Sequence, residues 1–276
     1  MFKQRVITAI ALVLGLVALL FNLNPLNFSL IVVPIVLLAG WEWSNLMGLE
    51  SKRHRFAYIL LLALAIAIAA VSLDLFGTLN ISLGQTLCLI ASILWAVVFL
   101  WVQGYPSSAI LWSPRPILGL LGIALLTITW VAIALIIHQP HGPWLLLFAF
   151  AVVALADVGG YVAGNLFGKH KLAPLVSPGK TWEGFFGGIL LQCILIASMA
   201  SFMPEKITTV MLVALVIPVS LYSVLGDLFE SMIKRHSGVK DSGNILPGHG
   251  GVLDRIDGLI AALPLFALLF LLLSPF

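Results

Sequence analysis

Charge is scarce in this chain. Of 276 residues only 9% are Asp, Glu, Lys or Arg, while 61% are hydrophobic; soluble domains run at about 25% charged and 45–50% apolar. With 14 basic and 11 acidic side chains, a water-soluble enzyme of this size could not cover its surface. The same composition excludes a disordered chain, a coiled coil and a nucleic-acid binder. Cysteine is also rare. Cys88 and Cys193 both lie inside apolar runs, so burial in lipid or protein is the expected reading, and neither a disulfide framework nor a zinc site has the residues it needs. A formal net charge of +3 is too small to argue by itself for a polyanionic partner. What the chain does have is length of apolar sequence.

A bilayer core takes about 20 apolar residues per helix. Apolar runs between polar breaks give nine spans, roughly 6–22, 28–47, 57–77, 84–103, 117–138, 143–167, 184–203, 207–230 and 255–274. The fold class is therefore an all-α polytopic membrane protein of about nine transmembrane helices. The first run follows Met-Phe-Lys-Gln-Arg but lacks a small-x-small cleavage site, and reads as an uncleaved helix. The basic residues check the count. Lys3, Arg5, Lys52, Arg53, Arg55, Arg115, Lys169, Lys171, Lys180, Lys234, Arg235, Lys240 and Arg255 all fall on one side in the nine-span arrangement, and Lys206 stands alone on the other. The positive-inside bias puts the N-terminus and this basic face in the cytoplasm.

The first five spans, residues 1–140, read as a scaffold. Trp41, Trp43, Trp101 and Trp112 near span ends read as interfacial anchors. Glu42 and Asp74 suit interface or packing positions better than a reaction centre, and His138 and His141 read as solvated loop residues. The region 141–276 breaks the apolar monotony in three places, all towards the basic face, and is the expected catalytic part, with loops at 168–183 and 235–252. In span 6, Ala156, Gly160, Gly164 and Gly168 recur every four residues, a ridge that admits a close helix neighbour. Asp157, Tyr161 and Asn165 form the adjacent ridge. An acid inside a span faces a partner or a watery cavity; a packing motif with a satisfied Asp competes with a ridge facing a site, and the site is preferred.

The loop Ser177-Pro178-Gly179-Lys180-Thr181 runs into span 7. Gly-Lys-Thr matches the end of a P-loop, but the first glycine of that motif falls on Pro174 and no preceding strand is expected, so the P-loop is rejected. Hydroxyls, a cation and free amides at a helix start still suit an anionic oxygen, although capping alone explains Thr181 equally well. In span 8, Ser220, Ser223, Asp227, Glu230 and Lys234 are spaced 3, 4, 3 and 4 residues apart, on one helix face. Glu230 and Lys234 could be a surface pair one turn apart; Asp227, about two turns deeper than Lys234, is harder to dismiss. A glycine-rich stretch, 236–251, leads into span 9, which opens Leu253-Asp254-Arg255-Ile256-Asp257. Asp254 could be a simple cap. Together these segments offer hard oxygen ligands among lysines and arginines, which is what a Mg²⁺–nucleotide phosphate needs.

Ser231-Met232-Ile233-Lys234-Arg235, then Lys240-Asp241-Ser242-Gly243, then Leu246-Pro247-Gly248-His249-Gly250-Gly251-Val252-Leu253-Asp254-Arg255-Ile256-Asp257 closely resembles the signature of the phosphatidate cytidylyltransferases, also called CDP-diacylglycerol synthases. The segments Asp157–Gly168 and Ser177–Gly188 are similar to a second region of that family; Gly160 and Asn165 depart from its usual residues. The resemblance implies CTP and phosphatidic acid as substrates, CDP-diacylglycerol and pyrophosphate as products, and a Mg²⁺ requirement, with a second cation left open. By resemblance, Asp227 and Asp254 are the principal metal ligands and Glu230 and Asp257 secondary ones. Asp227, Lys234 and Asp254 carry the catalysis. Substrate falls to Asp157, Ser177, Lys180, Thr181, Ser223, Arg235, Lys240, Asp241, His249, Gly250, Gly251 and Arg255. The lipid bilayer is a partner, a bacterial inner membrane suits the composition, and the small-residue ridge with the resemblance also suits a homodimer. Two other readings compete. One is a CTP-dependent lipid kinase of the polyprenol or phytol type. The other is an ion-coupled transporter, disfavoured because its sites usually lie near the midplane in related halves.

Overall fold

The computed structural model describes residues 2–201, 208–243, 245 and 250–273. The elements run α1 (Phe2–Asn22), α2 (Pro25–Leu46), α3 (Lys52–Ser72), α4 (Ile81–Gln103), the single turn α5 (Ala109–Trp112), α6 (Arg115–Ile137), α7 (Gly142–Phe167), β1 (Lys171–Ala173), β2 (Ser177–Thr181), α8 (Trp182–Ala200), α9 (Thr209–His236) and α10 (Leu253–Leu273). Among the described residues eight helices are long and apolar enough to cross a membrane, and α1 adds an apolar helix over Val13–Asn22. The chain is a multi-pass membrane protein, as its composition requires. Lys206 and His249 lie outside the described residues, as do the side chains of Lys3 and Arg5.

Helix starts are written in local chemistry. Asn24 accepts from the Asn27 amide ahead of Pro25 at the first position of α2, and Asn80 accepts from the Leu83 amide at the start of α4, two side-chain caps of the usual kind. The run expected at 57–77 ends instead at Ser72, because Asp74 adopts φ 51° and its carboxylate takes the Thr78 amide at 3.0 Å. That left-handed turn stops the helix.

α6 is the hub. In its apolar window 78% of residues are buried, the signature of a helix that is hydrophobic all round, and α2, α3, α4 and α10 pack against it. Polar side chains tie the bundle through backbone carbonyls. Trp43 Nε1 donates to Leu118 O at 2.9 Å, Tyr58 Oη to Gly119 O at 3.2 Å, and Trp130 Nε1 to Ser29 O at 2.8 Å. Gln192 Nε2 donates to Val152 O at 2.7 Å, joining α8 to α7, and Tyr222 Oη to Ser92 O at 3.1 Å, joining α9 to α4. Bonds of this kind in apolar surroundings are worth roughly 0.6 kcal/mol each on average. Two of the four tryptophans read as anchors are therefore packing residues: Trp43 and Trp112 are buried, Trp43 because its indole N–H has a carbonyl to serve inside the bundle. Trp41 keeps an outward role and stacks under the Arg55 guanidinium, 3.9 Å from its ring centroid.

The small-residue ridge of α7 is consumed within the chain. A Cβ on Gly159 would lie 2.6 Å from Gly187 O, and one on Gly184 would lie 2.7 Å from Gly160 O, so α7 and α8 touch backbone to backbone. Between them β1 and β2 form an antiparallel hairpin, with Lys171 opposite Thr181 and Ala173 opposite Ser177. A strand does precede α8, contrary to expectation; the P-loop still fails on Pro174.

Candidate active site

Two close helix crossings build the site. The α7–α8 contact sets Asp157 beside α8. The α9–α10 contact is equally tight: a Cβ on Gly226 would run into Asp257 O and lie 3.1 Å from Gly258 Cα, so the next residue, Asp227, comes to lie beside the Asp257 carboxylate, within Coulombic range.

A cavity of about 470 Å³ opens between α7, the hairpin, α8 and α9. Asp157, Tyr161 and Asn165 line it from α7, Ser177, Lys180 and Thr181 from β2, and Ser220 and Asp227 from α9. The polar ridge of span 6 thus faces a cavity. Lys180 Nζ pairs with Asp227 Oδ2 at 2.6 Å, both side chains partly exposed, and Asp157 lies within Coulombic range of both. Thr181 is buried and its Oγ1 accepts from the Gly184 amide at 3.1 Å; the capping role is real and the residue still borders the cavity.

A second cluster lies at the same end of α9. Lys234 Nζ bridges Glu230 Oε2 at 2.5 Å and Asp254 Oδ1 at 2.7 Å, with side chains only 15%, 4% and 8% exposed in that order. The expected surface pair is a dry triad, because α10 packs along α9 and brings Asp254 against it. Asp254 is further engaged: its Oδ2 accepts from the Gly251 amide at 2.8 Å, the Ser242 amide at 3.0 Å and Ser242 Oγ at 3.0 Å. Glu230 is the reverse case. Its carboxylate is buried and relies on Lys234, whose Nζ reaches Oε2; among the described residues no backbone amide donates to it. Asp257 stands between the clusters, interacting with Asp227, Lys180 and Lys234 and with Glu230.

The remaining candidates divide. Arg235, Lys240, Asp241 and Arg255 are exposed around this end of the bundle. Gly250 adopts φ +80° and a Cβ there would lie 2.8 Å from Asp254 Oδ2, so only glycine lets the loop fold onto that carboxylate. Ser223 is buried and its hydroxyl donates to Ser220 O at 2.8 Å; it does not line the cavity. Among the described residues, no three carboxylate, imidazole or thiolate groups converge to hold a metal ion by themselves.

Two features escaped the sequence reading. Glu42, from α2, is 2% exposed and accepts from Ser242 Oγ at 3.3 Å and from the Val252 and Leu253 amides at 3.1 and 2.7 Å. The only signal was an acid inside a span. The other is an apolar groove of about 440 Å³ lined by Trp95, Ala96, Phe99, Trp182, Leu221 and Leu225 among others, which shares Leu172, Phe185 and Val224 with the charged cavity.

Fold and site together define a polytopic membrane protein whose charged cavity abuts an apolar groove. The chain belongs to the cytidylyltransferase family: residues 3–273 match the family's sequence profile, which makes it an enzyme of the nucleotidyltransferase class. It is 40% identical over 286 residues to the phosphatidate cytidylyltransferase of Haemophilus influenzae, covering 97% of this chain and 98% of that one. It is 38% identical over 271 residues to the protein of that name from Pseudomonas aeruginosa, at 98% and 97% coverage. The similarity to the Staphylococcus epidermidis protein of that name reaches 52% over 124 residues, 45% of this chain and 48% of that one.

Proposed function

We propose that this enzyme transfers CMP from CTP to phosphatidic acid, forming CDP-diacylglycerol and pyrophosphate. The observation that carries the reading is the wall common to the charged cavity and the apolar groove. A substrate with an ionised head and fatty tails needs both compartments in contact, with the head reaching Lys180 and Asp227 while a tail stays in lipid. Basic residues crowd this end, so it faces the cytoplasm, where CTP is made; the bacterial relatives suit an inner membrane.

The chemistry is a displacement at phosphorus. An oxygen of the lipid phosphate forms a bond to the α-phosphorus of CTP as the bond to the bridging oxygen breaks, and pyrophosphate departs with that electron pair. The nucleophile is already ionised near neutral pH, so no general base is required and no cytidylylated enzyme forms. The barrier is the approach of two polyanions, and fixed cations and amide donors lower it. Lys180 and Lys234 supply charge inside the site, with Arg235, Lys240 and Arg255 around its rim. Ser177 and Thr181 supply hydroxyl donors, Gly250 and Gly251 hold the loop against Asp254, and His249 joins the donors by family resemblance.

The donor set fits Mg²⁺. Asp227 lies within Coulombic range of both Asp157 and Asp257, with Lys180 beside them, so carboxylate oxygens are in local excess there. Asp227 and Asp257 would hold the ion together with substrate phosphates, with Glu230 in reach of Asp257. Asp254 is so fully occupied by Lys234, Ser242 and Gly251 that its first task is to hold the loop. When bound, the ion neutralises phosphate charge.

The test is transfer by purified protein from CTP labelled separately at the α- and γ-phosphates, with phosphatidic acid and Mg²⁺. Label from the α-position in lipid, lost in Asp227→Asn and Asp254→Asn, supports the reading. Label from the γ-position in lipid makes the protein a kinase, and no transfer by folded protein returns the transporter.

A further inference from the structure

The glycine-rich loop that Asp254 gathers is held from beneath by a residue of the other half of the chain. Glu42 projects from α2, and its partners are some 200 positions away: the Val252 and Leu253 amides, which are orphan donors at the start of α10, and the hydroxyl of Ser242. Ser242 Oγ also lies 3.0 Å from Asp254 Oδ2. Its single proton serves one acceptor at a time, so the serine joins the two carboxylates into one unit. The loop is shaped to this carboxylate: a Cβ on Gly243 or on Gly251 would collide with Glu42. The ends of α2 and α9 are joined as well, by Ser237 Oγ donating to Leu46 O at 2.7 Å.

We infer that Glu42 is a positioning residue of the active site, fixing Ser242 and the start of α10 and through them the Asp254–Lys234 pair in the arrangement that receives the nucleotide. This rests on the cytidylyl-transfer reading for its kinetic part only. Among the described residues the hydrogen bonds of Glu42 go to Ser242, Val252 and Leu253, and it is not part of the cavity lining, so its effect passes through Ser242 and the α10 start. A carboxylate suits the role because the three described groups bonded to it are donors; an amide in its place turns an N–H₂ group towards one of them.

The experiment compares wild type, Glu42→Gln, Ser242→Ala and the double variant in detergent. Two readouts are taken, steady-state transfer from CTP and amide hydrogen exchange across 242–258. The expected result is a KM for CTP raised about tenfold or more in each single variant, with KM for phosphatidate little changed. The double variant should be no worse than the poorer single, because residues acting as one unit are non-additive. Exchange at Val252 and Leu253 should quicken in Glu42→Gln. A purely structural loss lowers the amount of active enzyme and leaves the KM of the survivors alone. Unchanged KM for CTP in folded Glu42→Gln, or effects that multiply in the double variant, overturns the inference. If Glu42→Gln does not fold, Ser242→Ala is judged by the same KM criterion. Wild-type protein that transfers no cytidylyl group defeats the proposed reaction, and the exchange comparison then decides the role of Glu42 alone: unchanged exchange at Val252 and Leu253 refutes it.

Discussion

Replacing Lys234 by Met should destabilise the protein far more than removal of an ordinary lysine. Lys234 stands between Glu230 and Asp254, and all three side chains are largely out of solvent. Taking one partner from a buried ion group leaves uncompensated charge and costs about 3–5 kcal/mol. At roughly 2–4 °C per kcal/mol for a chain of this order of size, the melting temperature should fall by about 6–20 °C. The two carboxylates left behind are not equivalent. Asp254 retains the Ser242 and Gly251 donors, whereas among the described residues no backbone amide or hydroxyl donates to Glu230. Neutralising Glu230 in the Lys234→Met background should therefore recover most of the loss, and Asp254→Asn in the same background little of it. Thermal unfolding of purified protein in detergent, followed by tryptophan fluorescence and circular dichroism, reads the effect without depending on activity. A Lys234→Met melting temperature within 2 °C of wild type, on the scale of about 2–4 °C per kcal/mol, would refute the reasoning, as would better recovery from Asp254→Asn than from Glu230→Gln.

Gly159→Val should destabilise by roughly 1–3 kcal/mol or more through overpacking, since its new Cβ meets backbone atoms of Gly187 and Gly188 at 2.6 and 2.8 Å; thermal unfolding checks it. Trp43→Phe should cost about 0.6 kcal/mol for the lost bond to Leu118 O, seen as a fall of about 1–2 °C in the same experiment. Ala96→Phe, which fills the apolar groove from α4, should raise KM for a long-chain phosphatidate several-fold and leave that for dihexanoyl phosphatidate unchanged; equal effects on both lipids would remove the groove from the substrate path.

The spans were legible because a run of some 20 apolar residues has few other uses, and the tilt of Asp157, Tyr161 and Asn165 onto one ridge already pointed them at a cavity. The hairpin was not legible. Its strands are three and five residues long and rich in Lys, Pro and Gly, without the two-residue alternation that marks a half-buried strand. The role of Trp43 depended on where a carbonyl of another helix falls, which no local pattern records. Glu42 was hidden for the same reason: its acceptor atoms meet donors from the far end of the chain. The charged residues of α9 were found by spacing, but their dryness comes from α10 packed against them.

The wall formed by Leu172, Phe185 and Val224 between cavity and groove bears on how turnover is counted. In the proposed reaction the lipid product keeps the tails of the lipid substrate and changes only above the glycerol. Both can therefore exchange sideways through the apolar mouth, in two dimensions, while nucleotide and pyrophosphate pass through the polar one. The enzyme then senses the mole fraction of phosphatidate in its bilayer or micelle, so adding inert detergent at constant total substrate should slow it by dilution within the surface alone.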